Sequence, residues 1–114
     1  MVTRKNPLKL NKLQARTLAL AQVLAEDDRL VRRDDATGEV TILKLPQPHG
    51  DHVHVGPFVV STRDISGFSN PAVWTALGRK GLAYADNPMT VTLTTAGVAY
   101  DTGLAHLFRQ ESDH

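Results

Sequence analysis

His49, Asp51, His52 and His54 form the one cluster of metal-like spacing in this 114-residue chain. His52 and His54 alternate with Val53 and Val55, so on an extended strand they share a face, about 7 Å apart at the backbone. Imidazoles at that spacing can converge on one ion, with His49 or Asp51 completing a tetrahedral set. The alternation has a simpler reading: Val53 and Val55 turn inward and the histidines outward. The spacing also differs from that of helix-borne zinc motifs. No metal site and no cofactor is therefore assigned, and a metal-binding protein or metalloenzyme stays a third reading behind the two below. Other chemistry has few residues to work with. The chain has no cysteine, which excludes a thiol nucleophile, disulfides and cysteine-based zinc sites. It has no glycine-rich phosphate loop and no serine in a nucleophile elbow. The paired acids Asp27–Asp28 and Asp34–Asp35 fall at expected turns and read as solvated loop carboxylates. The chain reads as a non-enzymatic protein.

The charges are more informative by position than by sum. The net charge is +1, yet residues 1–16 hold Arg4, Lys5, Lys9, Lys12 and Arg16 with no acid. Residues 26–39 hold Glu26, Asp27, Asp28, Asp34, Asp35 and Glu39 against Arg29, Arg32 and Arg33. A basic arm beside an acidic segment describes a polarised molecule with a candidate anion-binding patch. Apolar residues make up 41% and charged residues 22%, as in ordinary soluble domains. The length suits a single domain. No apolar run approaches the ~18 residues of a membrane span. The polar start lacks the apolar stretch of a secretory signal, so the expected location is cytoplasmic, away from membranes.

The elements that must carry these residues follow from local pattern. Residues 1–9 read as a flexible basic arm, 10–108 as one domain and 109–114 as a polar tail. Asn11 is a candidate N-cap. Leu10, Leu13, Thr17, Leu20, Ala21 and Leu24 then recur at helical spacing. Asp34 to Gly38 has turn chemistry. Residues 39–45 read as a strand, the Pro46–Pro48 stretch breaks it, and residues 52–55 read as a second strand. The two are expected to pair as a hairpin over residues 39–55 with a long loop. Phe58, Val59 and Val60 read as buried approach chain.

Ser61, Thr62, Arg63 and Asp64 resemble a capping box with an acid at its third helical position. A short helix is expected to about Ser66, ended by Gly67. Ser69 or Asn70 caps a second helix with Pro71 in its first turn. Val73 and Leu77 give that helix its core stripe, and Arg79 and Lys80 occupy its last turn. Gly81 stands where a left-handed C′ residue belongs. Trp74 reads as core, with a margin position anchoring a partner as the alternative. A strand over 82–85, a turn at 86–88 and a strand over 90–94 follow. Thr94 or Thr95 caps a last helix through Val98, Ala99 and Tyr100, which Leu104 and Leu107 could extend. The expected core comprises Leu13, Leu20, Leu24, Ile42, Val53, Val55, Val59, Ile65, Val73, Leu77, Leu82, Val91, Leu93 and Val98.

Helix, glycine turn, helix and two-stranded hairpin, in that order, make a winged helix-turn-helix. The stretch STRDISGFSNPAVWTALGRKGLAYAD followed by VTLTTAGVAY resembles the core of bacterial winged-helix regulators of the MarR type. Ile65, Gly67, Ser69, Val73, Leu77, the run Arg79-Lys80-Gly81-Leu82 and the run Leu93-Thr94-Thr95-Ala96-Gly97 carry the resemblance, which covers about a third of the chain. It implies a small α+β winged helix-turn-helix domain with an N-terminal helix and an additional β-hairpin. The helix-turn-helix would span about 61–81 and the wing about 82–94. It further implies a transcription regulator that binds double-stranded DNA as a homodimer. Ser69, Asn70, Thr75 and Arg79 would face the major groove, beside Ala72 and Trp74. Arg63, Lys80, Arg4 and Lys5 would hold phosphates. The wing tip carries Asp86 and no base, and the first two turns of the second helix carry no cation. That pattern suits the alternative, a winged-helix module that binds a protein and never touches DNA.

Overall fold

The computed structural model describes residues 6–43, 52–55, 58–61, 67–68, 70–87 and 90–104, with the backbone alone at 52–55, 58–61, 86 and 87. Helix α1 (Lys12–Ala25) starts at Asn11, whose side chain accepts from the Gln14 N–H while the Gln14 side chain accepts from the Asn11 N–H. This reciprocal pair satisfies two of the donors a helix start leaves over. Leu18, Leu20 and Leu24 of α1 are fully buried, and from residue 13 to residue 25 the helix has no fully exposed position. A helix that is mostly apolar around its circumference has to be central rather than superficial.

Strands β1 (Val31–Arg33), β2 (Val40–Ile42), β5 (Ala83–Asn87) and β6 (Thr90–Leu93) form an antiparallel sheet in the order β1-β2-β6-β5. Val31, Ile42 and Val91 make one cross-strand row of its inner face; Val40, Leu93 and Ala83 make another, and all six are buried. The opposite face carries the row Arg32, Thr41, Thr92 and Tyr84, in which Thr41 and Thr92 share a hydrogen bond of 2.9 Å between hydroxyls. A separate hairpin joins β3 (His52–Val55) to β4 (Phe58–Ser61). Helix α2 (Pro71–Arg79) packs on β5 and α1, and α3 (Thr95–Ala99) packs on β6 and α1. The molecule is thus a small α+β domain with an N-terminal helix and an antiparallel sheet.

Several expectations are corrected. The hairpin over residues 39–55 does not form. β2 is flanked by β1 and β6, and β3 pairs with β4 instead. The Asp34 carboxylate accepts from the Ala36 and Thr37 N–H groups, and the Asp34 N–H donates to Glu39, closing β1 onto β2 through a tight turn. A short closure loses less chain entropy than a loop over 43–51. Phe58, Val59 and Val60 are strand rather than approach chain. β5 runs on through Asn87, which pairs with Thr90 after a register irregularity between residues 85 and 87, so residues 86 and 87, expected in the turn, belong to the strand. The last helix ends at Ala99, because Tyr100 is extended at φ −63, ψ 133. Val98 is 40% exposed and not core, because buried Gly97 is the residue of α3 turned toward the domain. The next position on a helix points about 100° away. Ile65 and the side chains of Val53, Val55 and Val59 lie outside the described residues, as does the first helix of the expected pair beyond Ser61. Gly67 and Phe68 form a tight helical turn, with Gly67 lying over Thr17 of α1.

Two substitutions test this packing. A Cβ on Gly97 would overlap the Leu82 carbonyl oxygen, so α3 seats on the backbone just before β5 only because no side chain intervenes. Gly97→Ala is expected to lower stability by about 2–3 kcal/mol, as overpacking against backbone does. An unchanged urea midpoint would refute the close approach. The Thr17 hydroxyl is buried and has no hydrogen-bond partner among the described residues. Thr17→Val keeps its shape and removes the desolvation penalty. A gain of about 1 kcal/mol is expected, read as a rise in Tm, and a fall would show that the hydroxyl is satisfied.

Candidate nucleic-acid interface

Helix α2 is defined at both ends by its own sequence. Asn70 is the N-cap: it is extended and its side-chain oxygen accepts from the Ala72 N–H at 3.0 Å. Pro71 follows at the first helical position, where a missing N–H leaves nothing unsatisfied. At the other end the Leu82 N–H donates to Leu77 and the Gly81 N–H to Gly78, with Gly81 at φ +75. These paired bonds, with Leu77 and Leu82 both buried, make a Schellman stop that favours glycine at its left-handed position.

The inner face of α2 is Val73, Trp74 and Leu77. Trp74 is only 6% exposed, its indole N–H donates to the Phe68 carbonyl at 3.0 Å, and its ring stacks on Phe68 with centroids 6.0 Å apart. It is core, which removes it from the outward residues. The outer face is Pro71, Ala72, Thr75, Gly78 and Arg79, all exposed. That stripe is narrow, small in side-chain volume and charged only at its C-terminal end.

The expected contact residues divide accordingly. Thr75 and Arg79 lie one turn apart on the outer face. Asn70 sits at the helix start with its oxygen engaged as the cap. Lys80 is exposed just past the helix, and its ammonium donates to the Leu8 carbonyl at 3.1 Å. Arg4, Lys5, Arg63 and Ser69 lie outside the described residues. So do His49, Asp51 and the side chains of His52 and His54. The β3 register sets His52 opposite Ser61 and His54 opposite Val59. Among the described residues no group of three or more His, Asp or Glu is placed to hold a metal.

The Lys80–Leu8 bond also reveals a neighbourhood the sequence does not advertise. It brings residues 6–10, with exposed Lys9, to the C-terminal end of α2. The acidic segment is internally compensated in part. Arg29 pairs with Asp27 at 2.9 Å and Arg33 with Asp28 at 2.7 Å. The Arg29 guanidinium, through its side-chain hydrogen bonds, holds the Asp27 carboxyl below the usual carboxylate range. Arg33 also donates to the Ala25 carbonyl at the end of α1, and Glu39 accepts from the Tyr84 hydroxyl. An open groove of about 640 Å³ lies on this side, between the end of α1, Arg33 and α3.

The two roles of Asn70 separate experimentally. Asn70→Ala removes the cap and is expected to cost about 1 kcal/mol. Asn70→Asp retains an acceptor for the Ala72 N–H and should keep that stability, yet it loses the amide donor that adenine recognition needs. Equal stability loss in both variants, measured by denaturant unfolding, would mean that the cap is not the source of the effect. No family model, no curated protein and no solved structure matches this chain, so its interface is read from the geometry of α2 and its surroundings alone.

Proposed function

We propose that this domain is a non-enzymatic, cytoplasmic DNA-binding regulator of the winged helix-turn-helix kind, related in design to the MarR-type proteins its sequence resembles. α2 is the helix that enters the major groove, β5–β6 is the wing, and Thr75 and Arg79 face the bases. Lys80, Arg63, Arg4 and Lys5 hold phosphates, Ser69 and Asn70 lie at the helix start, and two copies read two half-sites. The observation that carries this reading is the placement of α2. One side is locked to the core through Val73, Trp74 and Leu77, and the other is uncovered by any described residue, with cations gathered at its end. The sheet order supports it too, since β2 from before the helices pairs with the returning strand of the wing. None of the helices among the described residues is long and apolar enough to cross a membrane. The uncharged first turns of α2 favour a second reading, a winged-helix module that docks on a protein.

Fluorescence anisotropy on a mixed-sequence duplex decides between them. Neutralising about 4–6 phosphates should lower affinity by about 10²–10³-fold between 50 and 200 mM salt. Arg79→Ala should weaken binding and flatten the log–log salt slope by about 1. Absence of binding at 50 mM salt would overturn the DNA reading in favour of the protein-docking one.

A further inference from the structure

We propose that the cavity between the first turns of α1 and the chain that follows α3 binds a small organic phosphomonoester, with Lys12, Arg16 and Thr102 holding the phosphate. The site uses neither α2 nor the wing, and it stands whether or not the domain binds DNA.

The cavity measures about 250 Å³. Lys12 and Arg16 line it from α1, Thr102 and Leu104 from the far end of the domain, and Leu10 and Ala15 add apolar surface. None of the described residues around it is acidic. Lys12 and Arg16 stand four residues apart, which stacks them about 6 Å from each other along one face of the helix. Like charges at that spacing repel. Lys12 is also the first residue of α1, where unsatisfied N–H groups already present positive charge, and the first turn holds no acid to offset it. Among the described residues Lys12 forms no ion pair. Two local rules of helix stability are therefore broken at the mouth of one cavity, and an anion seated between the two cations reverses both.

Thr102 adds a donor. It is only 5% exposed, and its hydroxyl accepts from the Leu104 N–H at 3.1 Å while donating to no described residue, so its proton is left for an acceptor. The wall beside it is fixed before any ligand arrives. The Asn6 amide donates to the Leu10 carbonyl at 3.0 Å, and its oxygen accepts from the Leu10 N–H at 2.9 Å and from the Tyr100 hydroxyl at 2.6 Å. Such fixed geometry lowers the ordering cost of binding. The ligand class follows from charge and size. A phosphomonoester carries about −1.5 to −2 charges and three acceptor oxygens. These match one ammonium, one guanidinium fork and one hydroxyl. A carboxylate brings half the charge and two oxygens. Leu10, Ala15 and Leu104 offer contact to a hydrocarbon part that inorganic phosphate lacks. The volume falls at the small end of ligand pockets, so that part must be compact.

The test reads thermal unfolding of the full chain in phenyl phosphate, inorganic phosphate, benzoate or sodium chloride at one ionic strength. Phenyl phosphate at about 10 mM should raise Tm by about 4–6 °C, the linkage expected of a Kd near 1 mM. Inorganic phosphate should raise it by less, and benzoate by no more than chloride. Lys12→Gln should hold or raise Tm in chloride, because it relieves repulsion, and should reduce the phenyl phosphate gain to under about 1 °C. Thr102→Val should weaken phenyl phosphate binding about 5-fold by removing one hydrogen bond. No gain in wild type overturns the site, and so does an equal gain in wild type and Lys12→Gln, which is a general ion effect. A benzoate gain as large as that of phenyl phosphate overturns the ligand class. A Tm gain from a mixed-sequence duplex that disappears in Lys12→Gln would assign these cations to a nucleic-acid surface and overturn the small-ligand site.

Discussion

Between Leu13 and Ala25 every position of α1 is buried or half-buried, and the sheet, α2 and α3 all close on that one helix. Leu18, Leu20 and Leu24 meet a surround that includes Ile42, Leu77, Leu82 and Leu93, all fully buried. Each such side chain contributes about 1.5–3 kcal/mol by leaving water. The orientation of α2 is set by the same burial. Its Val73, Trp74 and Leu77 stripe must face the core, so Pro71, Ala72, Thr75, Gly78 and Arg79 must face out. The candidate interface is the residue-by-residue complement of a hydrophobic requirement.

Charge is distributed with the same economy of elements. Acids of the segment after α1 are partly matched by Arg29 and Arg33 within a few residues, and Arg33 also meets the carbonyl end of α1, where a cation is favoured. At the other end of the domain Lys80 donates to the Leu8 carbonyl, which brings residues 6–10, with exposed Lys9, to the end of α2.

The caps were the most legible features, for a local reason. Asn11, Asn70 and Thr94 each accept from an N–H two or three residues on, and Gly81 takes the left-handed stop of α2. Each acts over a few residues, within one window of sequence. Strand pairing is different. A three-residue strand such as β1 has a single buried position, Val31, too little alternation to announce itself. β2 reads equally well as a partner for either neighbour until the Asp34 turn and β6 claim its two edges. In the candidate site, Thr75 and Arg79 were legible from helical spacing against Val73 and Leu77. The cap of α2 was narrowed by residue type to Ser69 or Asn70, and the bond from the Ala72 N–H to the Asn70 side chain selects Asn70. Trp74 was ambiguous because its position at the margin of the stripe is settled by Phe68, six residues upstream.

By itself, then, the chain's order of residues determined, to within a residue, where α1, α2 and α3 begin, where α2 stops, that Val73 and Leu77 mark the inward face of α2, and that residues 1–16 carry five bases and no acid. Those properties depend on neighbours within one or two helical turns. Only the tertiary structure decided the sheet order β1-β2-β6-β5, the seating of Gly97 on Leu82 and the meeting of Asn6 with Tyr100 across 94 positions. Such contacts arise because burying α1 brings distant segments together, and no local pattern encodes a partner whose proximity is created by the packing of everything between.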